Sequence, residues 1–175
     1  MHYYALALIG VDRPGIVAAV AGGLSDLGCN LEDVSTSLLR GHFAMVLEFS
    51  SPRAGAAAEI RRALRERTAA LEAHVEVWPV AASQPEGVAT HVLRLHGPDR
   101  IGIVAAVAEV LARHGVNIRE MSCSRDDVGA PTYVVVVEVE VPARLPEEAL
   151  ERELRGVADR LALHLVMERL GQEAL

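Results

Sequence analysis

An α+β protein of two like domains is the fold class this sequence predicts, and three observations predict it. The first is a repeat. Gly10-Val-Asp-Arg-Pro-Gly-Ile-Val-Ala-Ala-Val-Ala21 returns as Gly97-Pro-Asp-Arg-Ile-Gly-Ile-Val-Ala-Ala-Val-Ala108. The register holds through Leu24/Leu111, Gly28/Gly115 and Asn30/Asn117 to Ser35/Ser122. Self-similarity at a fixed period means two copies of one structural unit. The second observation is the order of apolar periods, which reads β-α-β-β-α-β in each copy. The third is composition: 51% of residues are hydrophobic and only 3% aromatic, so two small cores must be built from Val, Leu, Ile and Ala.

The elements follow in order. Tyr4, Leu6 and Leu8 alternate with small residues and read as a strand. Pro14 to Leu27 reads as a helix with Val17, Val20, Leu24 and Leu27 on one face. Asp12 and Pro14 are start signals and Gly28 is a stop. Asn30 to Leu38 reads as a second strand. Phe43, Met45, Leu47 and Phe49 carry the inner face of a third, joined to the second by a short turn at Arg40-Gly41-His42. Ala54 to Leu71 reads as a helix with Ile60, Leu64 and Leu71 inward, and Val75 and Val77 mark a fourth strand. The second copy repeats this with Leu93 and Leu95, then Tyr133, Val135, Val137, Val139 and Val141. Its second helix opens at Pro146-Glu147 and turns Leu150, Leu154, Val157 and Leu161 inward; Leu163, Leu165 and Met167 form the last strand. Its hairpin, Arg125 to Pro131, is three residues longer, because Glu48 answers to Glu138. The order is that of the ferredoxin-like split βαβ unit, with an antiparallel four-stranded sheet and helices on one face. The domains are 1–80 and 88–175, with the Ser/Gln/Pro/Gly stretch 81–87 as linker.

Composition excludes several classes. The net charge is −7, and all 17 basic residues are arginines, scattered among acids. Nucleic-acid binders present a basic face instead, so no direct nucleic-acid contact is expected. No run approaches the ~20 apolar residues of a membrane span, and no basic stretch opens a signal peptide. A cytoplasmic protein with no membrane association is expected. Cys29 and Cys123 fall at non-equivalent positions and read as buried free thiols rather than a metal or disulfide pair. No nucleophile elbow, phosphate loop or zinc motif occurs. His74 and His164, equivalent across the repeat, read as solvent-facing strand residues. No enzyme, metal or cofactor is expected.

The repeated Gly-x-Asp-Arg-x-Gly loop opens a helix, where free backbone N–H groups can meet an anion. Asp12 and Asp99 read two ways: as N-caps worth about 1 kcal/mol, or as acceptors for a ligand's amino group. Gly15 and Gly102 permit a tight turn and let a ligand approach the backbone. Asn30 and Asn117 open the second strand of each copy, either as turn residues or as partners of the loop around one cleft. An acid, an amide and free N–H groups suit an amino-acid zwitterion. Gly22-Gly23, mid-helix where the second copy has Glu109-Val110, reads either as a close helix contact or as drift, since each glycine costs about 1 kcal/mol there.

With Asp-Arg-Pro-Gly-Ile-Val before Gly-Cys-Asn-Leu-Glu-Asp, and Asp-Arg-Ile-Gly-Ile-Val before Gly-Val-Asn-Ile-Arg-Glu, the chain resembles two ACT domains. A tandem of this length is most similar to the glycine cleavage system transcriptional repressor family. That resemblance implies a non-catalytic regulator that binds an amino acid such as glycine and acts through a protein partner. It implies ligand contacts at Asp12, Arg13, Pro14, Gly15, Ile16 and Asn30, and at Asp99, Arg100, Gly102, Ile103 and Asn117. The second copy has Ile101 where the loop proline is expected, so the copies can differ in affinity. An amino-acid-sensing subunit of a metabolic enzyme is the alternative. Domains this small bury only about 60% of their unfolded surface, so self-association, as a homodimer, is expected.

Overall fold

The computed structural model describes residues 1–81, 87–126 and 132–171. The chain divides into two compact units, Met1–Pro85 and Glu86–Leu175. In the first, β1 (His2–Val11) leads to α1 (Ile16–Asp26), β2 (Asn30–Leu39), β3 (His42–Ser51), α2 (Ala57–Thr68) and β4 (Ala73–Val80). In the second, β5 (His91–Gly97), α3 (Ile103–Arg113), β6 (Asn117–Asp126), β7 (Thr132–Glu140), α4 (Glu147–Leu161) and β8 (His164–Arg169) repeat the order. The sheets are antiparallel, β2-β3-β1-β4 and β6-β7-β5-β8. This is the α+β, ferredoxin-like architecture expected from the repeat. Most of the proposed linker, and the tip of the longer hairpin at 127–131, lie outside the described residues.

Period two places Tyr4, Leu6 and Leu8 of β1 on one sheet face, against Ile16, Val20 and Leu24 of α1 and Ile60 and Leu64 of α2. The second core repeats the plan with Leu93 and Leu95, Ile103, Val107 and Leu111, and Leu150 and Leu154. The register carries this pattern outward: Leu6 faces Leu47 on one side and Val77 on the other. The β2–β3 turn is two residues, Arg40 and Gly41, both at positive φ (49° and 81°). That twist matches the strands it joins and fixes the register of the edge. The first strands also carry a buried polar ring at one position. Tyr4 Oη donates to the Arg53 carbonyl (2.9 Å) and accepts from Ala56 N–H (3.2 Å). Its counterpart His91 sits beside Thr90 Oγ1 (2.9 Å) and the Glu147 carboxylate (3.3 Å).

Three expectations are corrected. The first helix starts at Ile16, not Pro14, and Val17 is exposed while Ile16 takes the inward position. The second helix is shorter, Ala57–Thr68, and ends in a 3-10 turn at Ala69–Leu71. Cys123 is exposed because β6 is an edge strand, and Cys29, just ahead of the edge strand β2, is only partly covered. His74 and His164 are solvent-facing. The glycine pair is a close helix contact: a Cβ on Gly23 would lie 2.6 Å from Leu64 Cδ2 of α2, and one on Gly22 would lie 2.9 Å from Arg67 Nη2.

Candidate functional site

Each β–α loop crosses the end of its sheet and feeds a helix through a left-handed glycine. Gly15 (φ 99°) and Gly102 (φ 94°) are the N-cap residues, and no side chain caps either helix. The capping role weighed for Asp12 and Asp99 is therefore absent. The N-cap position itself falls on Gly15 and Gly102, three residues past the aspartates, and glycine has no side chain to cap with. Ala19 N–H bonds to the Gly15 carbonyl (2.8 Å) and Ala106 N–H to that of Gly102 (2.9 Å). The N–H groups ahead of these have no helical partner, as at any helix start.

In the first unit the loop borders an open groove of about 640 Å³ lined by Asp12 to Ala18, Ala21 and Phe43. Asp12 N–H donates to the Gly41 carbonyl (2.9 Å), pinning the loop to the β2–β3 turn. The Asp12 carboxylate is exposed and makes no hydrogen bond or ion pair among the described residues. Arg13 lines the groove with its guanidinium already paired. Its guanidinium donates to Glu72 Oε1 (2.9 Å), a residue in the left-handed region (φ 53°) just before β4.

The second unit repeats the loop with different partners. Asp99 pairs with Arg125 of β6 (3.7 Å). Arg100 is exposed and makes no ion pair among the described residues, and Ile101, where the first loop has Pro14, is fully exposed. Tyr133 stands where the first unit has Phe43. A hydrogen bond with Cys123, then partial burial and the nearby Cys123 and Asp99 charges, pushes its phenol above the usual range.

The asparagines are not at these loops within their own units. Asn30 faces Ser50, which faces Tyr3, whereas the loop begins beyond Gly10 at the other end of β1. Seven residues of strand separate the two ends, about 23 Å at ~3.3 Å per residue. Asn117 likewise faces Glu140, at the end of the sheet opposite Asp99. Asn30 Nδ2 donates to Glu32 Oε1 (3.1 Å), which also accepts from Ser50 Oγ (2.6 Å). These bonds, Ser50 first, hold the Glu32 carboxyl below its ordinary value. Glu32 lies at a bulge in β2, and Arg119 lies at the same bulge in β6. The structure thus gathers Asp12, Arg13, Pro14, Gly15 and Ile16, and separately Asp99, Arg100, Gly102 and Ile103, and leaves Asn30 and Asn117 apart.

Sequence reasoning missed the groove wall, Val17, Ala18, Ala21 and Phe43, and the residues that set the loop charges, Glu72, Leu38 and Arg125. The available signal was the second offset. Counting 90 residues after the hairpin aligns Phe43 with Tyr133 and Glu72 with Ala162.

Two family models match, each for an ACT domain, over residues 2–78 and 91–158. The chain belongs to the ACT-domain family, with two ACT domains in tandem. A UPF0237 protein of Methanopyrus kandleri is 48% identical over 42 residues, covering 24% of this chain and 47% of that protein. The glycine cleavage system transcriptional repressor of Escherichia coli is 37% identical over 49 residues, 28% of this chain and 26% of the repressor. The matches thus span about half or less of these curated relatives. Two solved structures share the whole tandem. A protein of Galdieria sulphuraria superimposes with TM-score 0.81 at 24% identity, covering 97% of this chain and 99% of that one. A structure described as a glycine cleavage system transcriptional repressor gives 0.73 at 14%, covering 98% of each. At these identities the likeness shows the fold alone. No helix among the described residues of this tandem ACT protein is long and apolar enough to cross a membrane.

Proposed function

We propose that this tandem ACT protein is a non-catalytic, cytoplasmic regulator that binds a small amino acid and modulates a protein partner in amino-acid metabolism. The observation that carries the reading is the uncapped start of α1 beside the unpaired Asp12 carboxylate, over an open groove. A ligand carboxylate would meet the first-turn N–H groups, where the macrodipole favours an anion. Asp12, or Asp99 in the second domain, would accept from its ammonium. One relative whose name states a function is a glycine cleavage system transcriptional repressor. The net charge of −7 favours action through a protein rather than on DNA directly.

A homodimer would restore the asparagine to this scheme. β2 is an edge strand exposed along its whole length. Antiparallel pairing of two such edges about a two-fold axis sets the start of one strand against the end of the other. The partner's Asn30 would then approach Leu39, and so the Asp12 groove. Thermal-shift screening of the twenty amino acids tests the reading. A ligand at 100 times its dissociation constant should add about 2.7 kcal/mol, several degrees for a domain of this size. Asn30→Ala and Asn117→Ala together should stay folded and reduce the shift. No shift with any amino acid refutes the proposal.

A further inference from the structure

We infer that the two grooves have diverged, so that the first domain alone holds the amino acid and selects a small aliphatic side chain over glycine. The inference rests on the proposed amino-acid reading and concerns which domain and which side chain.

The two loops share a motif but carry opposite exposed charge. In the first domain Glu72 occupies Arg13, and Leu38 stands where a partner for Asp12 would sit, so the loop presents a carboxylate. In the second domain Ala162, equivalent to Glu72 and likewise left-handed (φ 57°), offers Arg100 nothing. Arg125, equivalent to Leu38, pairs with Asp99 at 3.7 Å. The equivalence is fixed by register: Leu38 faces Phe43 as Arg125 faces Tyr133. Two positions outside the repeated motif therefore convert an ammonium acceptor into a loop whose acid is already paired and whose guanidinium, Arg100, has no ion-pair partner among the described residues.

The walls diverge in the same direction. The first groove is lined by Pro14, Ile16, Val17, Ala21 and Phe43, and its volume of about 640 Å³ admits an amino acid with a side chain. Val17, in that lining, is half exposed, apolar surface that a bound aliphatic group would cover. In the second domain the aromatic wall carries a hydroxyl, and the strand beside it carries Cys123 and Arg125 in place of Thr36 and Leu38. Charge complementarity selects the ammonium at Asp12, and the apolar wall distinguishes valine or leucine from glycine, by about fourfold for each methylene buried.

Calorimetric titration of the full chain with glycine, L-valine and L-leucine tests this, alongside Leu38→Arg, which gives Asp12 the partner that Asp99 has. Leu38 is exposed on an edge strand, so the variant should fold, and circular dichroism checks it. The expected result is one equivalent per chain, valine or leucine at least about fourfold tighter than glycine, and binding lost in Leu38→Arg. Two equivalents, glycine binding as tightly as valine, or wild-type binding by folded Leu38→Arg would overturn the divergence and leave the amino-acid reading standing. Binding of no amino acid would overturn both.

Discussion

Replacing each of the adjacent glycines of α1 by alanine should move stability in opposite directions. Both changes gain helix propensity, about 1 kcal/mol. At Gly22 the new Cβ would meet Arg67 Nη2 at 2.9 Å, the far end of a long side chain that pairs with Asp26 at the surface. That guanidinium can swing aside, so most of the gain survives. At Gly23 the new Cβ would meet Leu64 Cδ2 at 2.6 Å and Arg67 Cδ at 3.2 Å, and Leu64 is wholly buried. Overpacking a fixed core costs about 1–3 kcal/mol, so Gly23→Ala should end about 1 kcal/mol less stable, net of propensity. The single tryptophan, Trp78, lies on β4, so its fluorescence in urea follows the first domain alone. The midpoint should rise for Gly22→Ala and fall for Gly23→Ala. Equal stabilisation by both would refute the close approach of α1 to α2.

Tyr4→Phe should destabilise the first domain by about 1–3 kcal/mol, because it leaves the buried Ala56 N–H without its acceptor; the same fluorescence melt measures it. In the second domain Glu153 is held below the ordinary glutamate value, first by its hydrogen bond to Arg113 and then by that to His114. A lowered folded-state value stabilises above the unfolded value, and the contribution is lost as pH falls through the folded one. Arg113→Ala should therefore raise the Glu153 titration midpoint seen by carbon NMR. Light scattering at micromolar concentration should show a species larger than the 18.8 kDa chain, and Val34→Lys on the exposed β2 edge should return it to monomer. Duplex DNA at physiological salt should not bind the protein alone at sub-micromolar concentration.

The repeat and the two apolar periods made the domain plan legible, since Leu6, Leu8, Met45, Leu47 and Phe49 all turn inward where alternation places them. The helix start was not legible, because Asp12 and Pro14 each match a start rule that a left-handed glycine at 15 overrides. The loop residues Asp12 to Ile16 were legible as one cluster because they are contiguous. Asn30 was not, and the reason is topological. α1 is 11 residues long, about 16 Å at ~1.5 Å per residue, and it carries the chain back along the sheet before β2 begins. Leu38 and Glu72 reach the loop only through strand register, which no local pattern announces.

The turn at Gly15 and Gly102 has a further consequence. A Cβ built at either position would touch nothing within 4 Å, yet both residues sit at positive φ. Glycine is required there by the handedness of the backbone, not by lack of room. The handedness of each turn is thus set by its glycine and not by crowding from a neighbour. Such a turn places no steric demand on the side chains around it, so those side chains are free to change one at a time. The first domain could keep Phe43 and Leu38 while the second took Tyr133 and Arg125, and neither change required a new way to begin the helix. A duplicated module with a self-supporting turn can explore new chemistry at its rim without first having to refold.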